Sequence, residues 1–253
     1  MDALPEARPQ LANGTGKSSQ HSIPILMYHN VAARPRGVSH PGLYLTPAQF
    51  RRHLQLLCWR GYRGVSIAEG LPFLRGEKHG KVAILSFDDG YLDNLRNALP
   101  ILLEFGFSAS CYLVSSAIGS HNRWDSALLG IEKPLMNAAE IRDWLAAGMH
   151  VGSHSVSHPR LTRLSSAEKR RELFDSRAQL EDLLGIAIDH FCYPFGDHDA
   201  ECRRLATECG YLSALTTRRA VAAPGSDLLT LPRLGNSGRK SSLIFLARTL
   251  AWR

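Results

Sequence analysis

The sequence predicts an α/β fold, a βα barrel built as a single domain. Three observations predict it. Short apolar runs alternate with amphipathic stretches about seven or eight times over most of the 253 residues, which is the rhythm of repeated βα units. Polar clusters follow three of the apolar runs, at the strand ends where barrels of this kind gather their functional side chains. No composition break or fixed-period repeat divides the chain, and its length is ordinary for one barrel domain.

Taken in order, residues 1–21 read as a disordered tail. They hold acids at Asp2 and Glu6, prolines at Pro5 and Pro9, and no apolar core that suits a signal peptide. The domain is expected over 22–253. Residues 23–29 form a first buried strand with His29 at its exit, and 31–45, rich in proline and glycine, form a long loop of the kind that shapes sites. Thr46 and Pro47 open a helix whose buried stripe is Phe50, Leu54, Leu57 and Cys58, and Gly61 ends it. A strand at 62–67 and a helix at 68–74 follow.

The run Val82-Ala83-Ile84-Leu85 reads as a buried strand that delivers Ser86-Phe87-Asp88-Asp89-Gly90. Leu92, Leu95, Leu99, Leu102 and Leu103 predict an amphipathic helix over 91–105, with a kink at Pro100. A strand over 107–114 precedes a long insertion at 115–134 that carries Arg123-Trp124-Asp125, and Asn137 caps the next helix. The strand at 149–153 leads into His154-Ser155-Val156-Ser157-His158-Pro159. A capping box at Ser165 and Glu168 starts a helix to about residue 184, with Leu173, Leu180, Leu183 and Leu184 inward. Strands at 190–193, 211–216 and 229–234 and helices at 199–209 and 241–252 complete the pattern.

Hydrophobic residues at 44% and charged residues at 21% exclude wholesale disorder and fibrous repeats. The net charge of +7 permits attraction to anionic polymers or headgroups, but no like-charge run specifies a partner and no groove-reading motif points to nucleic acid. No stretch approaches the roughly 18 apolar residues of a membrane span. Cytoplasmic residence is the default expectation, with peripheral membrane association or export as other routes. Cys58, Cys111, Cys192, Cys202 and Cys209 are odd in number and lack C-x-x-C spacing, which argues against a disulfide framework or zinc-thiolate site. They are expected as small buried residues.

Adjacent residues leaving a strand need not point the same way, so one of Asp88 and Asp89 can hold a cation while the other accepts a proton. Asp-Gly also suits a turn, and acids suit the start of a helix. His154 and His158 are four apart, so both imidazoles reach one point if the residues between them turn helically; a capped turn before Pro159 is the other reading. The combination favours chemistry. Two histidines and one carboxylate are a common ligand set for a catalytic zinc.

Ser86-Phe87-Asp88-Asp89-Gly90 resembles the T/S-F-D-D-G motif, and His154-Ser155-Val156-Ser157-His158 the H-S/T-x-x-H motif, of the polysaccharide deacetylases with a NodB homology domain, a carbohydrate esterase family 4-like group. The motifs stand about 65 residues apart, as in that family, and the resemblance runs from residue 23 to 234. It implies a distorted (β/α)7 TIM-like barrel and a hydrolase that removes N-acetyl groups from amino sugars of a polysaccharide or its precursor, so an N-acetylated glycan is the expected partner. A small or lipid-linked amino sugar is an alternative substrate, and an inert carbohydrate-binding homologue an alternative role. The oligomeric state stays open.

Carried over by the same resemblance, Asp89, His154 and His158 hold one divalent metal, Zn2+ first, with Co2+, Ni2+ and Mn2+ as alternatives. Asp88 is the base. Tyr193 supplies a backbone N–H to the oxyanion, while Pro194 and Phe195 wall the acetyl methyl. Cys192 stands where the family usually has an arginine that orients the aspartate. Arg233, expected at the end of the last strand, is the substitute, because its fork suits a carboxylate; a surface salt bridge is the other reading. The late L-x-x-H histidine is also missing, so His29 is the candidate general acid, with a structural or substrate-binding role as the alternative. Trp124 is a candidate for sugar stacking, against plain packing.

Overall fold

In the computed structural model, which describes residues 22–235, the apolar runs and amphipathic stretches alternate as strands and helices. The tail expected over 1–21 and the helix expected over 241–252 lie outside the described residues. Strands β1 (Ile25–Tyr28), β2 (Asn30–Val31) and β3 (Tyr44–Leu45) precede helix α1 (Pro47–Trp59). Next come β4 (Arg63–Val65), α2 (Ile67–Leu74), β5 (Val82–Phe87), α3 (Leu99–Glu104) and β6 (Ser110–Leu113). The one-turn α4 (Ser126–Leu129), α5 (Ala138–Ala146), β7 (His150–Ser153) and α6 (Ser166–Leu184) follow. The chain then forms β8 (His190–Cys192), α7 (Ala200–Glu208), β9 (Ser213–Leu215) and β10 (Leu234–Gly235).

The main sheet is parallel, in the order β10-β1-β5-β6-β7-β8-β9 with β4 also against β5. β4 pairs with Val82 to Ile84 and β6 with Ser86 and Phe87, so they share one edge of β5 while β1 takes the other. A parallel bridge from Leu215 to Leu231 brings the chain from β9 back towards β10, which pairs with β1. This curled sheet with its helices is the distorted (β/α)7 barrel, in one domain.

Alternation along the strands sorts the side chains into two layers. Val82 and Ile84 join Ile25, Leu215 and Leu231 on the inner face, together with Ile67, Phe73 and Leu74 of α2. Ala83, Leu85 and Phe87 face outward, against Phe50, Leu54 and Leu57 of α1 and Trp144 of α5. The approach of α2 to β5 needs a glycine, since a Cβ on Gly70 would lie 2.5 Å from the Ile84 side chain. Capping boxes at Thr46, Asn137 and Ser165 start α1, α5 and α6 where the sequence places them.

Several expectations are corrected. The loop at 31–45 contains the parallel β2 and β3 pair. The helix at 91–105 is interrupted by a π turn over Asn94–Ala98, which accommodates Pro100 where a regular turn would clash with its ring. That extra residue per turn rotates Leu103 into solvent, at 52% exposure, and buries Ile101. Residues 229–234 are not one strand: a 3-10 turn, a bridge at Leu231 and Pro232, which lacks an N–H, separate them from β10. All five cysteines are free; Cys58 is exposed and Cys209 half-buried, because both lie at the edge of their helical stripes. No helix among the described residues is long and apolar enough to cross a membrane.

Two buried histidines, His53 in α1 and His190 at the start of β8, make the fold acid-sensitive. Burial lowers the pKa of His53 to about 4 and of His190 to about 3. An unfolded histidine titrates near 6.5, so between there and about pH 4 the unfolded chain binds protons that the fold refuses. Stability is therefore expected to be full above about pH 6.5 and to fall on acidification, by up to about 1.4 kcal/mol per pH unit for each histidine. Denaturant midpoints between about pH 7.5 and pH 4 measure this. His190→Gln should flatten part of the slope, and an unchanged slope would remove His190 from the account.

Candidate active site

The inner-face set of β5 continues past its apolar part to Ser86 and Asp88. The Asp88 amide donates to the Tyr28 carbonyl at 3.0 Å, which keeps this residue in strand register. Its carboxylate meets Arg233 in a two-pronged pair, Nη1 to Oδ1 at 2.6 Å and Nη2 to Oδ2 at 2.7 Å. Arg233 precedes β10 rather than ending a strand, and at 1% exposure it is no surface arginine. Its Nε donates to the Thr216 carbonyl at 2.8 Å, Nη1 to Ser86 Oγ at 3.1 Å, and Nη2 approaches Cys192 Sγ at 3.1 Å. Burial opposes charge on Asp88, but the Arg233 guanidinium overcomes it and holds the carboxyl well below the usual range.

Asp89 turns away from this pair. Its φ of 76° and the 81° of Gly90 are consecutive left-handed values, tolerable for aspartate and natural for glycine. Asp89 Oδ1 lies 3.6 Å from His154 Nε2 and 3.4 Å from His158 Nε2. His154, directly after β7, donates from Nδ1 to the Cys192 carbonyl at 2.6 Å, which leaves Nε2 to face Asp89. The residues between the histidines do not turn helically, as the spacing suggested. Ser155 and His158 are themselves left-handed, and the His158 amide donates to Ser155 Oγ at 3.0 Å. Among the described residues the non-glycines with positive φ are Asp89, Ser155, His158 and Phe195, all at this site.

These donors fit a cation. The Asp89, His154 and His158 atoms lie within 4.8 Å of one another, and tetrahedral ligands at ordinary zinc distances stand roughly 3.4 Å apart. Burial drives the Asp89 carboxyl well above its ordinary range, with Asp88 adding to the effect. It also lowers His154 to about 4 and holds His158 well below its ordinary value, the latter with help from His154. Neutral imidazoles are the state a metal selects, and the positive charge of a cation would offset the burial that disfavours an ionised Asp89. Asp88, His154 and Cys192 are equally close together, but Arg233 already fills the space between Asp88 and Cys192.

A cavity of about 280 Å³ opens over the two carboxylates, with His29, Asp125, Arg160 and Phe195 in its walls. His29 Nε2 stands 3.7 Å from Asp88 Oδ2; burial lowers its pKa while Asp88 opposes the fall. Tyr193 lines the cavity, but its amide does not face into it. Strand alternation turns its ring outward, where the hydroxyl donates to the Leu229 carbonyl at 3.2 Å, and its amide is spent on the Leu215 carbonyl at 3.0 Å. That N–H is therefore not free for an oxyanion in this conformation. Pro194 is buried, and Phe195 alone of the pair reaches the cavity. Trp124 stacks on His158 at 4.8 Å rather than lining the cavity, and Phe195 meets the same imidazole edge-on at 4.6 Å.

A carboxylate pair split between an arginine and two histidines, at the strand ends of a curled parallel barrel, agrees with the outcome of comparison with known proteins. The family model for polysaccharide deacetylase matches residues 75–214, more than half the chain. The chain belongs to the polysaccharide deacetylase family. The matched segment holds Asp88, Asp89, His154 and His158, while His29 and Arg233 fall outside it. YxkH of Bacillus subtilis, which carries a provisional polysaccharide deacetylase name, is 25% identical over 225 residues, covering 88% of this chain and 74% of that protein. A chitin deacetylase of Colletotrichum lindemuthianum is 29% identical over 142 residues, 56% of this chain and 52% of that one.

Two solved structures share the fold. The Streptococcus pyogenes deacetylase PplD, in complex with acetate, superposes with a TM-score of 0.77 at 24% identity, over 90% of this chain and 98% of that one. IcaB from Ammonifex degensii gives 0.78 at 22% identity, over 91% and 98%. Within this polysaccharide deacetylase the sequence reading gave no site role to Ser86 and Cys192, whose inward facing follows from alternation with Ile84 and against Phe191. It also missed Asp125, whose Oδ1 accepts from Asn122 at 2.7 Å, and Arg160, whose guanidinium lies 4.4 Å over the Phe195 ring. Neither carries a local signal.

Proposed function

We propose that this polysaccharide deacetylase is a metal-dependent N-deacetylase of amino sugars in a glycan or its precursor. In this reading Asp89, His154 and His158 hold one divalent cation, Zn2+ first, and Asp88 is the base. The observation that carries it is the convergence of three donor atoms next to a carboxylate that is separately paired. A cation bound there supplies Lewis acidity towards the acetamide carbonyl and makes water acidic enough for a carboxylate to deprotonate.

The chain's own groups do the rest. Arg233 keeps Asp88 ionised across ordinary pH and fixes its plane, so that an acceptor oxygen is always available. Oδ2 is the atom nearest His29, and a proton collected there has His29 Nε2 as its next station on the way to the leaving amine. Phe195 offers an apolar surface for the acetyl methyl, while Trp124 and Phe195 together hold the His158 ring in plane.

The test is acetate release from N-acetylglucosamine oligomers and from lipid-linked N-acetylated precursors, with and without chelator. Release is expected to stop on chelation and return with one added metal, and Asp89→Ala or His154→Ala should purify metal-free. Undiminished release from metal-stripped protein would overturn the metal reading. Stoichiometric metal with no acetate from any N-acetylated glycan would point to an inert binding protein instead.

A further inference from the structure

The segment between the two histidines is held from both sides by groups that touch neither ring. Its carbonyls are taken by the loop after β6: the Ser115 amide donates to the Ser155 carbonyl at 3.1 Å, and the Ser116 amide to that of Val156 at 3.1 Å. Its amides are taken by one carboxylate. Val156 N–H donates to Glu172 Oε2 at 2.8 Å and Ser157 N–H to the same oxygen at 2.9 Å, while Ser157 Oγ donates to Oε1 at 2.6 Å. Glu172 stands in the second turn of α6 and is half-buried. The helix itself is anchored beneath the loop, where Ser176 Oγ meets Ser153 Oγ at 2.7 Å.

That grip spans a conformation the chain would not keep by itself. Ser155 at φ 69° and His158 at φ 61° flank the two amides that Glu172 accepts, and left-handed backbone at non-glycine residues persists only where its surroundings over-determine it. Released from Glu172, both N–H groups would turn to water and the flanking residues could return to ordinary φ values, carrying His158 away from Asp89.

We propose that Glu172 is a positioning residue for the metal centre: by accepting three hydrogen bonds from Val156 and Ser157 it holds the loop in the shape that aims His154 and His158 at Asp89. This rests on the reading of those three residues as metal ligands. Glu172→Gln is nearly isosteric; its carbonyl oxygen can accept both amides, and Ser157 Oγ can rotate to accept from the new amide. It should behave much like the parent, whereas Glu172→Ala and Glu172→Met cannot accept at all.

The experiment is zinc titration of the full chain against a chromophoric chelator, with hydrogen exchange at the Val156 and Ser157 amides and a denaturation midpoint for each variant. Glu172→Ala is expected to bind zinc about 10–100-fold more weakly, with faster exchange at 156 and 157 and unchanged protection in β7. Glu172→Gln should stay within about threefold of the parent, which a loss of general stability alone would not produce. If Glu172→Ala does not fold, Glu172→Met takes its place, with the same expected loss. Zinc affinity and loop exchange equal to the parent in a folded variant overturn the positioning role while leaving the metal reading standing. Absence of zinc binding in the parent itself overturns both.

Discussion

Asp88→Asn is expected to lower kcat for acetate release by about 10²–10⁴-fold, the range of a lost general base, with metal still bound by Asp89, His154 and His158. Asparagine matches the carboxylate in shape but takes no proton from water. Because the loss falls on the chemical step, KM should change little. The substitution also leaves Arg233 buried without its counter-charge, so the comparison must be made on folded protein, with metal content and denaturation midpoint measured alongside rate. Full acetate release by folded, metal-loaded Asp88→Asn would overturn the role given to Asp88.

Arg233→Met should have the larger effect on stability, about 3–5 kcal/mol, since it strands a fully buried carboxylate. With the guanidinium gone, burial acts on Asp88 with only His29 and His154 to oppose it and raises its pKa, so the acid limb of the kcat/KM profile should move to higher pH. Arg233→Lys keeps the charge but not the fork, and should fall between the two. The double variant Asp88→Asn, Arg233→Met should cost less than the sum of the single ones, because neither charge is then left alone. Additive losses in that cycle would mean that the pair is not a coupled unit.

Much of the scaffold was legible before any coordinate. Thr46, Asn137 and Ser165 cap helices through contacts three residues long, and the strand at Val82 announces itself by composition. Such signals are complete within one turn of chain, which is why they can be read from sequence. The four residues at the heart of the site were legible for a similar reason: Asp88 with Asp89 and His154 with His158 are short motifs at strand ends. The break in the helix after Tyr91 was foreseen at Pro100, but its form, a π turn displaced towards Asn94, was not. Whether a proline kinks or widens a helix depends on what the neighbouring face must bury.

The orientation of the split carboxylates belonged to the tertiary structure. The pairing of Arg233 with Asp88, left open in sequence against a surface salt bridge, joins residues 145 apart and follows from the curl that brings the start of β10 beside β1. Tyr193 lines the cavity, but strand alternation packs its ring in the outer layer and commits its amide to the sheet. Sequence leaves Trp124 open between sugar stacking and plain packing, and its stack on His158 appears only in the tertiary structure. Glu172 carries no motif at all and became visible only when α6 packed against the loop between the histidines. By itself the sequence determined which groups exist at each strand end, because periodicity and capping are local. Which of them face one another was decided by register and sheet curvature, which arise only when distant segments pack.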